Sequence, residues 1–442
     1  MTLRSQSYRL PGHEVHEYEL SVPLDHAGTL PGSITVFARE FVRDGGAHLP
    51  RLVWFQGGPG ARADRPTTIS GWLERALDDY RVVLLDQRGT GRSTPADATT
   101  IPAVGSPAAQ ADYLACLRAD SIVADAEALR RALQDDEPWT ALGQSYGGFI
   151  ITCYLSQAPH GLSGAMITAG LPGLRTSAED VYRATFATTA TRNAEYFARY
   201  PQDRHHLNEL VRHLDGEEEL LGTGERLSPR RLLTIGIELG TQSRFDALHY
   251  LLEAPLVRVG GTLRLSEQVR AALTSALSFA GRPLYAVLHE SIYAQSAASF
   301  APDATTTAQT PAAATNWAAH RVRAEREEFS LEAQQPLLTG EHIFPWQFVE
   351  DPALTPMAEA AEILAHRTDF PVLYHPEVLA ENTVPAAAAI FYDDMFVPFE
   401  HSVATARAIR GLHPVITNAY QHDGIRMDGA HLVDTLIGRL HG

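Results

Sequence analysis

Lysine is absent: all 36 basic residues of this 442-residue chain are arginines. With its many alanines, that reads as the codon bias of a GC-rich genome and carries no functional message. Cysteine is almost absent as well. Cys116 and Cys153 stand in unrelated contexts, which excludes a disulfide framework and a thiolate metal site and leaves them as buried free thiols. No apolar run approaches the ~18 residues of a membrane span. The opening residues MTLRSQSYRLPGHEVHEY lack the apolar stretch of a secretory signal, so the expected location is the cytoplasm. Basic clusters are missing too, and the net charge is −17. Nucleic acid and anionic membranes are therefore not expected partners.

What is there is an ordinary globular composition, 45% hydrophobic and 20% charged, in a chain long enough for a core domain plus a large insertion. The amino-terminal stretches HEVHEYELSVPLDH and SITVFAREFV alternate like strands. RLVWFQ (51–56), RVVLLDQ (81–87), WTALGQ (139–144) and GLSGAMITAG (161–170) are continuous apolar runs, as expected of strands covered on both faces. Helical segments separate them at 72–80 and 111–133. The alternation predicts an α/β fold with a mostly parallel, doubly wound sheet. From about residue 176 to 375 the pattern is mostly helical, and sheet-like sequence returns with VPAAAAIFYDD and PVITNAY. The expected domains are a catalytic first part (1–175), an inserted helical cap (176–375) and a catalytic second part (376–442). The Thr/Ala/Pro-biased stretch 301–316 is expected to be a surface loop.

Gly143-Gln144-Ser145-Tyr146-Gly147 is a G-x-S-x-G motif lying between a predicted strand and a predicted helix. In that setting the glycines permit a sharp turn that lifts the Ser145 hydroxyl above the sheet, the nucleophile position of the α/β-hydrolase fold. A second backbone donor for an oxyanion belongs in QGGPG (56–60); the amides of Gly58, or a neighbour one residue away, and Tyr146 are the candidates. In that fold the acid and base follow the serine in chain order. Asp393 and Asp394 both end a late strand. Asp394 is followed a few residues later by Val397-Pro398, which resembles a family pattern for the acid, and is the candidate; Asp393 lies on the opposite side by strand alternation. Among 19 histidines, His422 directly follows the last predicted strand and precedes Asp-Gly, whereas His431 and His441 fall on the terminal helix. Asp86 and Arg88 are read as a structural salt bridge or loop brace.

GGPG (57–60), DQRGTGRS (86–93), GQSYGG (143–148), DDMFVP (393–398) and YQHDGIR (420–426) together resemble the prolyl aminopeptidases of peptidase family S33, in the larger bacterial subgroup with an extended cap. Gln56 departs from the histidine of smaller members. The resemblance implies release of N-terminal proline from short peptides with a free amino terminus, without cofactor or metal. It also implies cap glutamates that meet the substrate's cationic imino group. Glu290 and Glu341 match by position, flanked by Tyr293, Phe344 and Trp346 as walls for the pyrrolidine ring. The alternatives are an S33-like esterase, amidase or aminopeptidase of other specificity, and a non-catalytic binding protein of the same fold; the last would lack one of the three catalytic groups. Oligomeric state is not readable.

Overall fold

A computed structural model describes residues 2–295 and 314–441. The biased stretch expected as a loop therefore lies, except for 314–316, outside the described residues.

Nine strands form one sheet. They are β1 (Leu3–Leu10), β2 (His13–Pro23), β3 (Ser33–Arg43), β4 (Arg51–Phe55), β5 (Arg81–Asp86), β6 (Trp139–Gln144), β7 (Leu162–Thr168), and, after a separate hairpin β8 (Leu256–Val259) and β9 (Thr262–Leu265), β10 (Ala386–Phe391) and β11 (Leu412–Thr417). The spatial order is β1-β2-β3-β5-β4-β6-β7-β10-β11. The first three strands and their junction with β5 are antiparallel; every later pair is parallel.

The apolar runs are uninterrupted because each strand is buried on both faces, and alternation divides its side chains between them. Val53, Phe55, Val83, Leu85, Ala386, Ala388 and Ile390 join one core with α3 (Ala119–Gln134) and α4 (Tyr146–Gln157). Leu52, Trp54, Val82, Leu84, Ala387, Ala389 and Phe391 join the other with α1 (Gly71–Ala76) and the terminal helix Gly429–His441. Truncating one of these buried phenylalanines to alanine costs about 3–5 kcal/mol.

Three elements differ from the sequence pattern. The helix expected at 72–80 ends at Ala76, because the chain must turn at Leu77–Tyr80 to enter β5. The helix expected over 111–133 is two, α2 (Pro107–Ala115) and α3, separated where Arg118 is extended (φ −90°, ψ 178°). Its buried guanidinium lies 4.3 Å over the Phe370 ring and donates to the Ala294 carbonyl, distant partners that break the local periodicity. The stretch expected as helical holds the β8–β9 hairpin, turned by Gly260 and Gly261 at φ 58° and 89°. Positive φ at both turn positions is what a two-residue hairpin requires, and the VGGT sequence carried that signal. Elsewhere the described residues from Ala178 to Ala380 are helical or irregular, while β7 and β10 on either side of that stretch pair directly.

Candidate active site

Ser145 occupies the turn between β6 and α4 at φ 57°, ψ −124°, a conformation strained for a residue with a side chain. Its amide donates to the Thr168 carbonyl at 3.0 Å, and its carbonyl accepts from Gly148 at 2.8 Å. Neighbouring glycines make the turn possible by close packing. A Cβ on Gly147 would run into the carbonyl of Phe55 in β4, and one on Gly143 would stand 2.5 Å from the Gly147 backbone. The Ser145 side chain thus sits at the amino end of α4, where unpaired amides and the helix dipole favour negative charge.

His422 and Asp394 arrive from the other end of the sheet. Asp394 follows β10, and its Oδ1 accepts from the amides of Phe396 (2.8 Å) and Val397 (3.0 Å). His422 Nδ1 lies 3.0 and 2.8 Å from Asp394 Oδ1 and Oδ2. Phe396 stands edge-on to the imidazole, with ring centroids 4.8 Å apart. Burial by itself would lower the imidazole's pKa; the Asp394 carboxylate and its hydrogen bond outweigh that and leave it raised. Asp393, by contrast, is only half-buried, and His431 and His441 lie on the terminal helix.

Ser145, His422, Gly57, Gly58, Gln56 and Glu341 share one cavity of about 490 Å³. Gln56 is held by the Trp54 indole, whose N–H donates to its Oε1 at 2.9 Å. The side chain of Tyr146 packs inward as part of the core, while its backbone opens α4.

The proposed cap residues separate into two groups. Glu341 reaches the cavity wall, and the Tyr285 hydroxyl donates to its Oε1 at 2.6 Å. Glu290 lies deeper, accepting from the Ala319 amide at 3.0 Å where the helix Ala318–Ala324 begins. Burial raises its carboxyl pKa, with the Ala319 amide opposing. Among the described residues neither glutamate has an ion-pair partner within 4.0 Å, despite the cap's arginines. Tyr293 packs edge-on against Phe149, Tyr182 and His289 at 5.8–6.3 Å between centroids. Phe344 and Trp346 stack on each other at 5.5 Å in a separate apolar cluster, away from the cavity lining.

Against this geometry, the alpha/beta hydrolase fold family matches residues 50–255. A proline iminopeptidase of Aeromonas sobria is 40% identical over 434 residues, covering 97% of each chain. This chain belongs to the proline iminopeptidase family. A proline iminopeptidase of Aspergillus aculeatus is 30% identical across 95% of this chain and 92% of its own. Among solved structures, a thermophilic esterase from Thermogutta terrifontis aligns over 96% of this chain and 99% of its own at 14% identity and a TM-score of 0.44. Among the described residues no helix is long and apolar enough to cross a membrane.

Two features of this family member were not legible in its motifs. Tyr285, which orients Glu341, sits in a plain apolar segment (PLYAVL), and only the fold brings it to residue 341. Asp86 and Arg88 do brace loops, but not by pairing with each other. Asp86 binds Arg65 and accepts from the Arg92 amide at 2.9 Å; Arg88 binds Asp125 at 2.6 and 2.7 Å. Both thiols are free, with Cys153 buried and Cys116 half-buried; burial pushes the Cys116 thiol up to about 11, which makes it a poor nucleophile.

Proposed function

We propose that this family member releases the amino-terminal proline of a peptide by serine acyl transfer. Ser145 is the nucleophile, His422 the base and acid, and Asp394 the group that orients it. The observation that carries the reading is that one cavity holds Ser145 in its strained turn, His422 held by Asp394, and the Glu341 carboxylate.

With Asp394 ionised, His422 carries its proton on Nδ1 and presents Nε2 as a base. Nε2 takes the hydroxyl proton as Ser145 attacks the carbonyl of the first residue. Negative charge develops on that carbonyl oxygen and is met by the amides of Gly58 and Tyr146, assisted by the α4 dipole. The imidazolium then gives its proton to the leaving amine, and water hydrolyses the ester by the same route. The substrate's protonated imino group faces Glu341, whose orientation is fixed by Tyr285. Glu290 lies close enough to Tyr182 and Tyr293 for its charge to act on both hydroxyls. Burial raises both tyrosine hydroxyls, with both carboxylates adding to the effect. A carboxylate at that point measures the free amine, since an acylated or internal nitrogen offers no charge.

The test is hydrolysis of aminoacyl-naphthylamides, free and N-acetylated, by the wild type and Ser145→Ala. Fast cleavage of free Pro-naphthylamide, lost on acetylation and in the variant, supports the reading. Preference for acetylated substrates or simple esters would replace it with an esterase or amidase of the same scaffold.

A further inference from the structure

The cavity is charged in two zones. Glu341 stands on its wall, half-buried, beside Tyr285. Around its mouth are three exposed arginines: Arg244, Arg282 and Arg426. Arg244 is shared with Glu238 at 3.3 Å. Among the described residues, Arg282 and Arg426 have no carboxylate within 4.0 Å. The Arg282 guanidinium lies 5.0 Å from the Tyr285 ring centroid, so one tyrosine links it to the glutamate that its hydroxyl holds. The cavity's other carboxylates are engaged elsewhere, Glu238 with Arg244 and Asp423 with the Gln242 amide at 3.3 Å, so these two guanidiniums stand ready for an incoming anion.

We infer that Arg282 and Arg426 bind a carboxylate on the leaving part of the substrate, making them specificity-determining residues for short or acidic peptides. This rests on the prolyl aminopeptidase reading and adds a second anchor to it. A peptide entering amine-first puts its cation at Glu341 and its carbonyl at Ser145. Its remaining residues point outward to the mouth. An extended chain covers roughly 3.3–3.6 Å per residue, so the carboxylate of a dipeptide lies only about 7 Å from its amine and that of a tripeptide about 10 Å. Such a molecule is anionic at one end and cationic at the other, the same order as the cavity. A long peptide places neutral backbone at the rim unless its second or third residue is acidic. The guanidinium fork suits a carboxylate and is only weakly hydrated, so the pairing survives at a half-open site.

The experiment compares kcat/KM for Pro-Ala and Pro-Ala-amide, and for Pro-Glu-amide and Pro-Gln-amide, at low salt and at 0.5 M salt. The wild type is expected to favour the carboxylate member of a pair by roughly two- to fivefold at low salt, the scale of exposed charge pairs. The preference should shrink at 0.5 M salt as the charges are screened. In the double variant Arg282→Gln, Arg426→Gln the ratio should approach one, and Arg282→Lys, Arg426→Lys should restore part of it. Because each ratio is taken within one protein, general damage to catalysis cancels. A gain confined to Pro-Ala assigns the rim to the chain terminus; a gain in both pairs assigns it to any nearby carboxylate. A wild-type ratio below two in both pairs, or a ratio unchanged in the double variant, overturns the inference. Failure of the wild type to cleave Pro-naphthylamide is a different result: it removes the prolyl aminopeptidase reading and this inference with it.

Discussion

Asp394→Asn tests the catalytic assignment most sharply, because the structure dictates which way the new amide must point. Asp394 Oδ1 accepts from two backbone amides, at 2.8 and 3.0 Å. An asparagine keeps both bonds only by leaving its oxygen there. Its NH2 group then occupies the position of Oδ2, 2.8 Å from His422 Nδ1 in the wild type. A donor facing Nδ1 forces that nitrogen to accept, and the ring proton moves to Nε2. The imidazole then presents a proton to Ser145 where it should present a lone pair. Loss of a correctly oriented base in such a triad lowers kcat by about 10⁴-fold, equivalent to about 5.5 kcal/mol of barrier. The same change removes the charge that raises the His422 pKa, leaving burial, which lowers it. Since catalysis needs neutral His422, the acid limb of kcat/KM stands above the ordinary histidine value in the wild type and moves downward in the variant. Pro-naphthylamide hydrolysis across pH 5–9 measures both effects, with circular dichroism to confirm that the variant is folded. A folded variant that retains more than a tenth of wild-type kcat, or one whose acid limb moves upward, refutes the role given to Asp394.

Three further outcomes are expected. Glu341→Gln should lower kcat/KM for free Pro-naphthylamide by about 10–100-fold, mainly through KM, since a charge-assisted contact worth about 1.5–3 kcal/mol is lost; unchanged KM would remove Glu341 from the amine site. Gly147→Ala should cost at least about 1–3 kcal/mol, because the added methyl meets the Phe55 carbonyl in the middle of the sheet and neither backbone can yield; thermal melting reads this, and an unshifted Tm would contradict the packing described. Arg88→Met should destabilise by up to about 3–5 kcal/mol in denaturant titration, because it leaves the buried Asp125 carboxylate with His26, at 2.8 Å, in place of the bidentate guanidinium, while the KM of whatever folds stays near wild type. A large KM change would mean that Arg88 serves the substrate and not the loop.

Much of the site is local in sequence, and that part was readable. The turn at Ser145 needs small neighbours within two residues on either side, so its requirement is written as G-x-S-x-G. Asp394 and His422 stand just past strand ends whose apolar runs are themselves visible. The choice of Asp394 over Asp393 rests on the Val397-Pro398 that follows it, with strand alternation putting Asp393 on the opposite side; Asp393 is half-buried and Asp394 buried. The cap is different. Whether Glu290 or Glu341 meets the cavity depends on how short helices and irregular segments pack over one another, and no period marks it. Tyr285 and Arg282 lie more than fifty residues from Glu341, and nothing in either segment announces the other. The break between α2 and α3 was hidden for the same reason, since Arg118 reaches partners at 294 and 370.

Under the proposed assignment, the segment between β7 and β10 also bears on how substrate reaches Ser145. The His422 amide donates to the Gly240 carbonyl at 3.3 Å, and Asp423 Oδ1 accepts from the Gln242 amide at 3.3 Å. Gly240 lies flat against Phe396, so closely that a Cβ there would penetrate the ring that packs on His422. Segment 234–242 therefore helps to hold the His422 imidazole proposed as the base. Lifting it to admit a peptide would loosen the imidazole at the moment it is needed. Entry past Arg282 and Arg426 disturbs none of these contacts. An exopeptidase needs only one end of its substrate inside, and a cavity of about 490 Å³ whose wall carries Glu341, with Glu238 and Asp423 engaged by Arg244 and the Gln242 amide, suits that demand without a moving lid.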